Sequence, residues 1–400
     1  MLAKEKDFKA FLENGKASTT AVDSCGTVRV PTGVELFYQL YVVRLCSMVQ
    51  PDASNQMDSP IWTPLHARRP ERYIMIMGFA AKGEDWQPLI EQFLRASKTV
   101  AQNDRTLEIC VFDNRGIGKS SVPKPKTAYS TEIMAADALG LMDHLGWSKA
   151  HVVGFSMGGM IACKLASMQP HRVFSLCLIS VTGGGWQIIP STSKALGTFL
   201  KGMMDRSNRG RALTDVKFHF SSATRHAMYE GREIREILEE QYEASSAQYG
   251  RQLPEGEGGH AHACWTHSVT VEDVRSIQSG GFPVLLIHGR EDLVAEYRHA
   301  ETLALRLGAR LVLLHGAHFI PRECSFEISE LLLSWTSSQE LQGTDGDDKS
   351  SFAKIVTGLV ASSDRASKVA LDPLIVNRIR RDSKDRDPVG QRCMPGWCCF

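Results

Sequence analysis

The run Gly154-Phe155-Ser156-Met157-Gly158-Gly159 constrains this chain more than any other stretch. The largely apolar His151-Val152-Val153 precedes it, and Met160-Ile161-Ala162-Cys163-Lys164-Leu165-Ala166, which reads as a helix, follows. A serine between strand and helix, with glycine two positions away on each side, marks a turn too tight for a Cβ at the glycine positions. Such a turn strains the serine backbone and lifts its Oγ above the end of a sheet. The helix N-terminus behind it favours developing negative charge.

A serine hydroxyl needs a base, and the base needs a group to orient it. The apolar strand Gly281-Phe282-Pro283-Val284-Leu285-Leu286-Ile287-His288 ends in Gly289-Arg290-Glu291-Asp292. Either Glu291 or Asp292 can serve as the orienting acid. A further strand, Arg310-Leu311-Val312-Leu313-Leu314, ends in His315-Gly316-Ala317-His318-Phe319. His318 competes for the role of base with His315 and, less closely, with His288. The chain order Ser, Asp, His differs from that of the chymotrypsin and subtilisin triads.

These segments, with Met77-Gly78-Phe79 and Phe112-Asp113-Asn114-Arg115-Gly116-Ile117-Gly118-Lys119-Ser120, resemble the α/β-hydrolase fold family, in particular its cap-containing serine hydrolases. Three further stretches are similar to a plant and eukaryotic group of such proteins: residues 138–147, Val181-Thr182-Gly183-Gly184-Gly185 and Ala263-Cys264-Trp265-Thr266-His267. The resemblance implies a catalytic triad of Ser156, Asp292 and His318, because the family spacing after His288-Gly289 selects Asp292 and the position before Phe319 selects His318. It also implies an oxyanion hole formed by the backbone N–H groups of Met157 and Phe79. The family usually carries His-Gly at the start of the oxyanion loop, a histidine that commonly supports the loop rather than reacts. This chain has Met77-Gly78 there.

Other chemistries find little purchase. Gly118-Lys119-Ser120 ends like a phosphate-binding loop, but the motif needs glycine where Asp113 stands, and a carboxylate there would repel a polyphosphate. The segment reads instead as a tight turn after strand four, with Asp113 and Arg115 hydrogen-bonding to nearby loops. No H-E-x-x-H, C-x-x-C or dinucleotide G-x-G-x-x-G pattern occurs, so no metal or cofactor is expected. A formal net charge of +1 provides no field for nucleic acid. The expected partner is a small-molecule substrate. The ten cysteines are dispersed, with Cys110, Cys163 and Cys177 in apolar segments, as suits reduced thiols in a cytoplasmic protein. No apolar run reaches the roughly 20 residues of a membrane span.

Alternation of apolar strands with helices gives the α/β class: a mostly parallel, doubly wound sheet of the α/β-hydrolase kind, with a helical cap inserted after strand six. Residues 1–70 form an N-terminal extension carrying the first two strands, around Pro31-Thr32-Gly33, and a Pro- and Ser-rich surface insertion over 48–70. Residues 71–185 and 281–337 form the core, 186–280 the cap, and 338–400 a tail. In the cap, Leu196, Phe199, Leu200, Met203 and Met204, then Ile234, Ile237 and Leu238, fall at helical spacing. Trp265 and His267 are candidate substrate-binding residues. His260-Ala261-His262 reads as part of a loop continuing from Gly256-Glu257-Gly258-Gly259, since no further metal ligands accompany it. In the tail, Phe352, Ile355, Val356, Leu359 and Val360 fit an amphipathic helix. Cys398 and Cys399, after the basic residues of 378–386, are palmitoylation candidates and the one route to a membrane. The expectation is an esterase-like serine hydrolase acting on a small apolar acyl group. The alternative is a hydrolase-fold receptor or interaction protein with little turnover.

Overall fold

A computed structural model describes residues 22–45, 70–100, 105–205, 207–249 and 252–340. The insertion expected over 48–70, apart from Pro70, the helix expected around Phe352 and the tail cysteines lie outside the described residues.

Strands β1 (Ser24–Arg29) and β2 (Glu35–Leu45) form an antiparallel hairpin around the expected turn. After them come β3 (Glu71–Ile76), α1 (Gln87–Val100), β4 (Arg105–Phe112), α2 (Thr131–His144), β5 (Ala150–Phe155), α3 (Met157–Met168) and β6 (Val173–Ile179). The chain returns to the sheet through β9 (Val284–Gly289), α10 (Tyr297–Leu307) and β10 (Arg310–Leu314), then α11 (Ile320–Glu323) and α12 (Ser325–Glu340). The eight strands lie in the order β1-β2-β4-β3-β5-β6-β9-β10, and all pairings from β4 to β10 are parallel.

Helices cover both faces of this sheet, so alternate strand residues enter two separate cores and the strands read as continuous apolar runs. Tyr73 and Met75 point to one side, with Trp86, Phe93, Val153, Ile287 and Leu331. Ile74 and Ile76 point to the other, with Met134, Leu141, Val152, Ile161 and Leu303. Ser130 caps α2 by accepting from Ile133 N, and α10 ends at Gly308 in the left-handed region (φ 66°). Cys110, Cys163 and Cys177 are buried free thiols.

Between β6 and β9 the chain is mainly helical: α4 (Ser193–Met204), α5 (Asn208–His219), α6 (Ser222–Arg225), α7 (Ile234–Tyr249), α8 (Pro254–Thr266) and α9 (Val271–Ser279). A two-residue hairpin, β7 (Met228–Tyr229) with β8 (Arg232–Glu233), interrupts them. It turns on Glu230 and Gly231, both at positive φ, and four residues of strand are too few to leave an alternating pattern. One expectation is corrected outright. His260-Ala261-His262 is not a loop but the middle of α8. Proline opens this helix, Glu255 and Glu257 occupy its first turn, and its glycines serve close packing. A Cβ on Gly256 would lie 2.0 Å from Gly116 O, and one on Gly259 2.4 Å from the Tyr129 ring.

Candidate active site

β5 runs straight into α3 through Ser156, which sits at φ 52°, ψ −120°. A non-glycine residue held there costs about 1–3 kcal/mol and persists only where its surroundings enforce it. The enforcement is visible on both sides. Ser156 N donates to Ile179 O at 2.8 Å. A Cβ on Gly154 would lie 2.4 Å from Gly158 O, and one on Gly158 would lie 2.0 Å from Ile76 O. Only glycine lets β3, β5 and α3 approach this closely, and that approach pushes the Ser156 side chain out at the carboxyl end of the sheet.

The carboxyl ends of β9 and β10 bring Asp292 and His318 to the same place. His318 Nε2 lies 3.0 Å from Ser156 Oγ, and His318 Nδ1 lies 2.7 Å from Asp292 Oδ2. A carboxylate accepts, so Nδ1 carries the proton and Nε2 presents its lone pair to the serine hydroxyl. Asp292 is buried and fully engaged: its Oδ1 accepts from Val294 N at 2.9 Å and Ala295 N at 2.8 Å. Burial alone would raise this carboxyl. Electrostatic attraction to the neighbouring His318 and hydrogen bonds from His288 and His318 outweigh it and hold Asp292 well below the usual carboxylate range.

Two of the rival candidates, His288 and Glu291, have other work. His288 Nε2 donates to Ala295 O at 2.5 Å and lies 3.4 Å from Asp292 Oδ2, so it braces the acid from behind. Glu291 faces the insertion and accepts from Ser222 N at 2.9 Å.

Beside Ser156, the loop after β3 passes through Gly78 and Phe79 to Ala80, itself at φ 55°. Asn114 Nδ2 donates to Met77 O at 2.8 Å, and Asp113 Oδ1 accepts from Gly83 N at 2.9 Å. Asp113 Oδ2 accepts from Lys119 N at 2.9 Å, so the acidic residue that breaks the phosphate-loop pattern serves as a turn brace. Among the described residues no protein acceptor takes the N–H of Phe79 or of Met157, the first residue of α3. A helix's first amides have no intrahelical partner, so Met157 N–H is free for a ligand.

The structure separates Trp265 and His267 from this constellation. Trp265 is 54% exposed at the end of α8. His267 is buried, with Nδ1 2.9 Å from Thr131 Oγ1 at the start of α2 and its ring against Gly184. Among the described residues no hydrogen bond or ring contact joins either of them to Ser156, Asp292 or His318. His267 ties the residue that ends α8 to the first residue of α2.

Sequence reasoning missed the support around His318. Phe218 O accepts from His318 N at 3.2 Å, and His219 O accepts from Phe319 N at 3.0 Å. Buried Glu323 accepts from Ala317 N at 2.8 Å, Ser221 N at 3.0 Å and Ser221 Oγ at 2.5 Å. Burial pushes its carboxyl up, against those hydrogen bonds. Ser180 Oγ donates to His318 O at 2.9 Å. A single glutamate five residues beyond a histidine carries no motif, so nothing in the sequence marks Glu323.

A family model of the alpha/beta hydrolase fold matches residues 74–321, more than half of the chain. The chain is 26% identical over 233 residues to the dihydrolipoyllysine-residue acetyltransferase component of the acetoin cleaving system of Pseudomonas putida, covering 57% of this chain and 55% of that protein. It is 28% identical over 107 residues to epoxide hydrolase 4 of Mus musculus, with 27% of each covered. The chain thus spans about half or less of the length of these curated relatives. The solved enol-lactonase from Burkholderia xenovorans superposes with a TM-score of 0.54 at 18% identity, over 78% of this chain and 100% of that one. Likeness at that identity speaks for the fold. From the match along its length and the topology it adopts, the chain belongs to the α/β-hydrolase fold family.

Proposed function

We propose that the chain is a serine hydrolase, esterase-like, that cleaves an ester-type bond of a small apolar acyl substrate through an acyl-enzyme. Carboxylic esters are the first choice; thioesters and amides present the same attackable carbonyl. The observation that carries this reading is the unbroken chain from Ser156 Oγ through His318 to Asp292, at 3.0 and 2.7 Å.

In this reading His318 Nε2 takes the hydroxyl proton as Ser156 Oγ attacks the carbonyl carbon, and the carbonyl electrons move onto oxygen. The N–H groups of Phe79 and Met157 receive that oxyanion, and losing one such donor raises the barrier by about 3–4 kcal/mol. The tetrahedral intermediate collapses, and His318 returns the proton to the departing alcohol. Water then repeats the sequence on the acyl-enzyme. Asp292 holds the imidazole in the required tautomer and stabilises its cation without taking the proton. The exposed ring of Phe79 offers an apolar surface suited to a hydrocarbon acyl group.

The partner in this proposal is a small molecule rather than nucleic acid, and the setting is the cytoplasm, in keeping with buried free thiols. Among the described residues no helix is long and apolar enough to cross a membrane. The test is labelling by a fluorophosphonate together with turnover of p-nitrophenyl esters. Wild type should label and turn over, and Ser156→Ala should do neither, with kcat reduced by at least about three orders of magnitude. A folded wild type that resists the probe would point to a receptor that keeps the pocket without the chemistry.

A further inference from the structure

The loop that carries Phe79 is tied down along its length by side chains. Asn114 holds Met77 O and Asp113 holds Gly83 N, both from the turn after β4. The third tie comes from the inserted helices. Ala80 N donates to His260 Nδ1, 3.3 Å away on α8. Ala80 is also the residue of this loop in the left-handed region, which a Cβ-bearing residue leaves unless something holds it.

His260 is fully buried, and its protonation pattern follows from fixed partners. Nε2 lies 2.7 Å from Arg115 O, a carbonyl that only accepts, so Nε2 carries the hydrogen. Nδ1 is then a lone pair, as a backbone N–H at Ala80 requires. Gln252 Nε2, 3.1 Å away, donates to the same atom and also to Gly116 O at 2.9 Å. The imidazole therefore bridges two loops with one donor and one acceptor and no freedom to exchange them. Its ring packs edge-on against Phe79 and Tyr129, with centroids 5.8 and 6.1 Å away. The helix that delivers it is pressed onto the Gly116 turn, where Gly256 leaves no room for a side chain.

We propose that His260 is a positioning residue for the oxyanion hole: by holding Ala80 N–H from the inserted helices, it sets the orientation of the neighbouring Phe79 amide that receives the developing oxyanion. The proposal rests on the hydrolase reading above. It makes docking of α8 a condition of catalysis, because the amide is aimed only when the helix is seated. Misplacement of a catalytic group by about 1 Å costs about a hundredfold in rate.

The two ring nitrogens can be tested separately. In His260→Asn the amide oxygen overlays Nδ1 and keeps the acceptor for Ala80 N–H, while the bond to Arg115 O is lost. In His260→Gln the amide nitrogen reaches Arg115 O, and the acceptor at Ala80 is withdrawn. Both variants are compared in the full chain for thermal midpoint, ester kinetics and hydrogen exchange at the Ala80 amide. The expected result is that Asn keeps kcat within about threefold of wild type and protects Ala80. Gln should lose kcat by about ten- to a hundredfold with KM nearly unchanged, and Ala80 should exchange faster. Equal kinetics and equal exchange in the two variants would overturn the proposal. So would losses that simply follow the thermal midpoint. If wild type neither labels with fluorophosphonate nor turns over esters, the hydrolase reading falls and catalytic positioning with it. The exchange comparison still decides whether His260 anchors the loop.

Discussion

Replacing Asp137 by asparagine should cost this protein more stability than any change of comparable size on its surface. Asp137, on α2, and Arg115, in the turn after β4, are both buried. Arg115 Nε and Nη2 reach the two carboxylate oxygens at 2.6 Å each. Nη1 donates to Ala128 O at 2.7 Å and Nη2 to Thr32 Oγ1 at 2.9 Å, and Thr32 in turn donates to Asp137. The pair thus pins the β1–β2 turn, α2 and the turn after β4 to one another. The introduced amide would keep one acceptor and turn an N–H₂ toward a guanidinium N–H. It would also leave a cation out of water with no counter-charge. Breaking a buried pair from one side costs about 3–5 kcal/mol, whereas removing both partners for apolar groups is often near neutral. Urea unfolding of wild type, Asp137→Asn and the double variant Arg115→Met/Asp137→Leu gives the comparison. The single change should lower stability by about 3–5 kcal/mol, and the double change should lower it by less. A single variant within about 1 kcal/mol of wild type, or a double variant worse than the single, would refute the reasoning.

Asp292→Asn should leave the fold intact and reduce kcat by about three to four orders of magnitude with KM nearly unchanged, because the His318 tautomer is no longer enforced; steady-state ester kinetics checks it. Acid should destabilise the protein through its buried histidines. Burial lowers His151, His260 and His267 from 6.5 to about 4 each. Between those values the unfolded chain takes up protons that the folded chain refuses. Stability should therefore be full above pH 6.5 and fall toward pH 4, by up to about 4 kcal/mol per pH unit for three sites. Urea midpoints that stay flat from pH 7 to pH 5 would count against this.

The parts of the site legible in sequence are those fixed by local backbone geometry. Gly154 and Gly158 are demanded by contacts with β3 and α3, and the apolar runs of β5, β6, β9 and β10 by burial on both faces. Ser156, Asp292 and His318 follow because each stands at the end of such a strand. The insertion is less legible because its residues answer to partners far away in the chain. Gly256 and Gly259 look like loop glycines until Gly116 and Tyr129 are seen against them. Their separation of three, on one face of a helix, is the signal for a close-packed helix that would place His260 in the interior. Trp265 and His267 invite a binding role because of their residue types, and their roles depend on where α8 ends. Glu323 has no signal at all, since only the folded chain brings Ala317 and Ser221 to its carboxylate.

The strap of residues 218–222 has a mechanical consequence. Its carbonyls hold the backbone of His318 and Phe319, and its Ser221 and Ser222 hold Glu323 and Glu291. The base and this part of the insertion therefore travel together. A swing of the insertion wide enough to lift the strap would tug the imidazole off the serine, so an open molecule of that kind is also a disarmed one. Compounds must reach Ser156 by a route that leaves the strap seated, or chemistry waits until it has come back down.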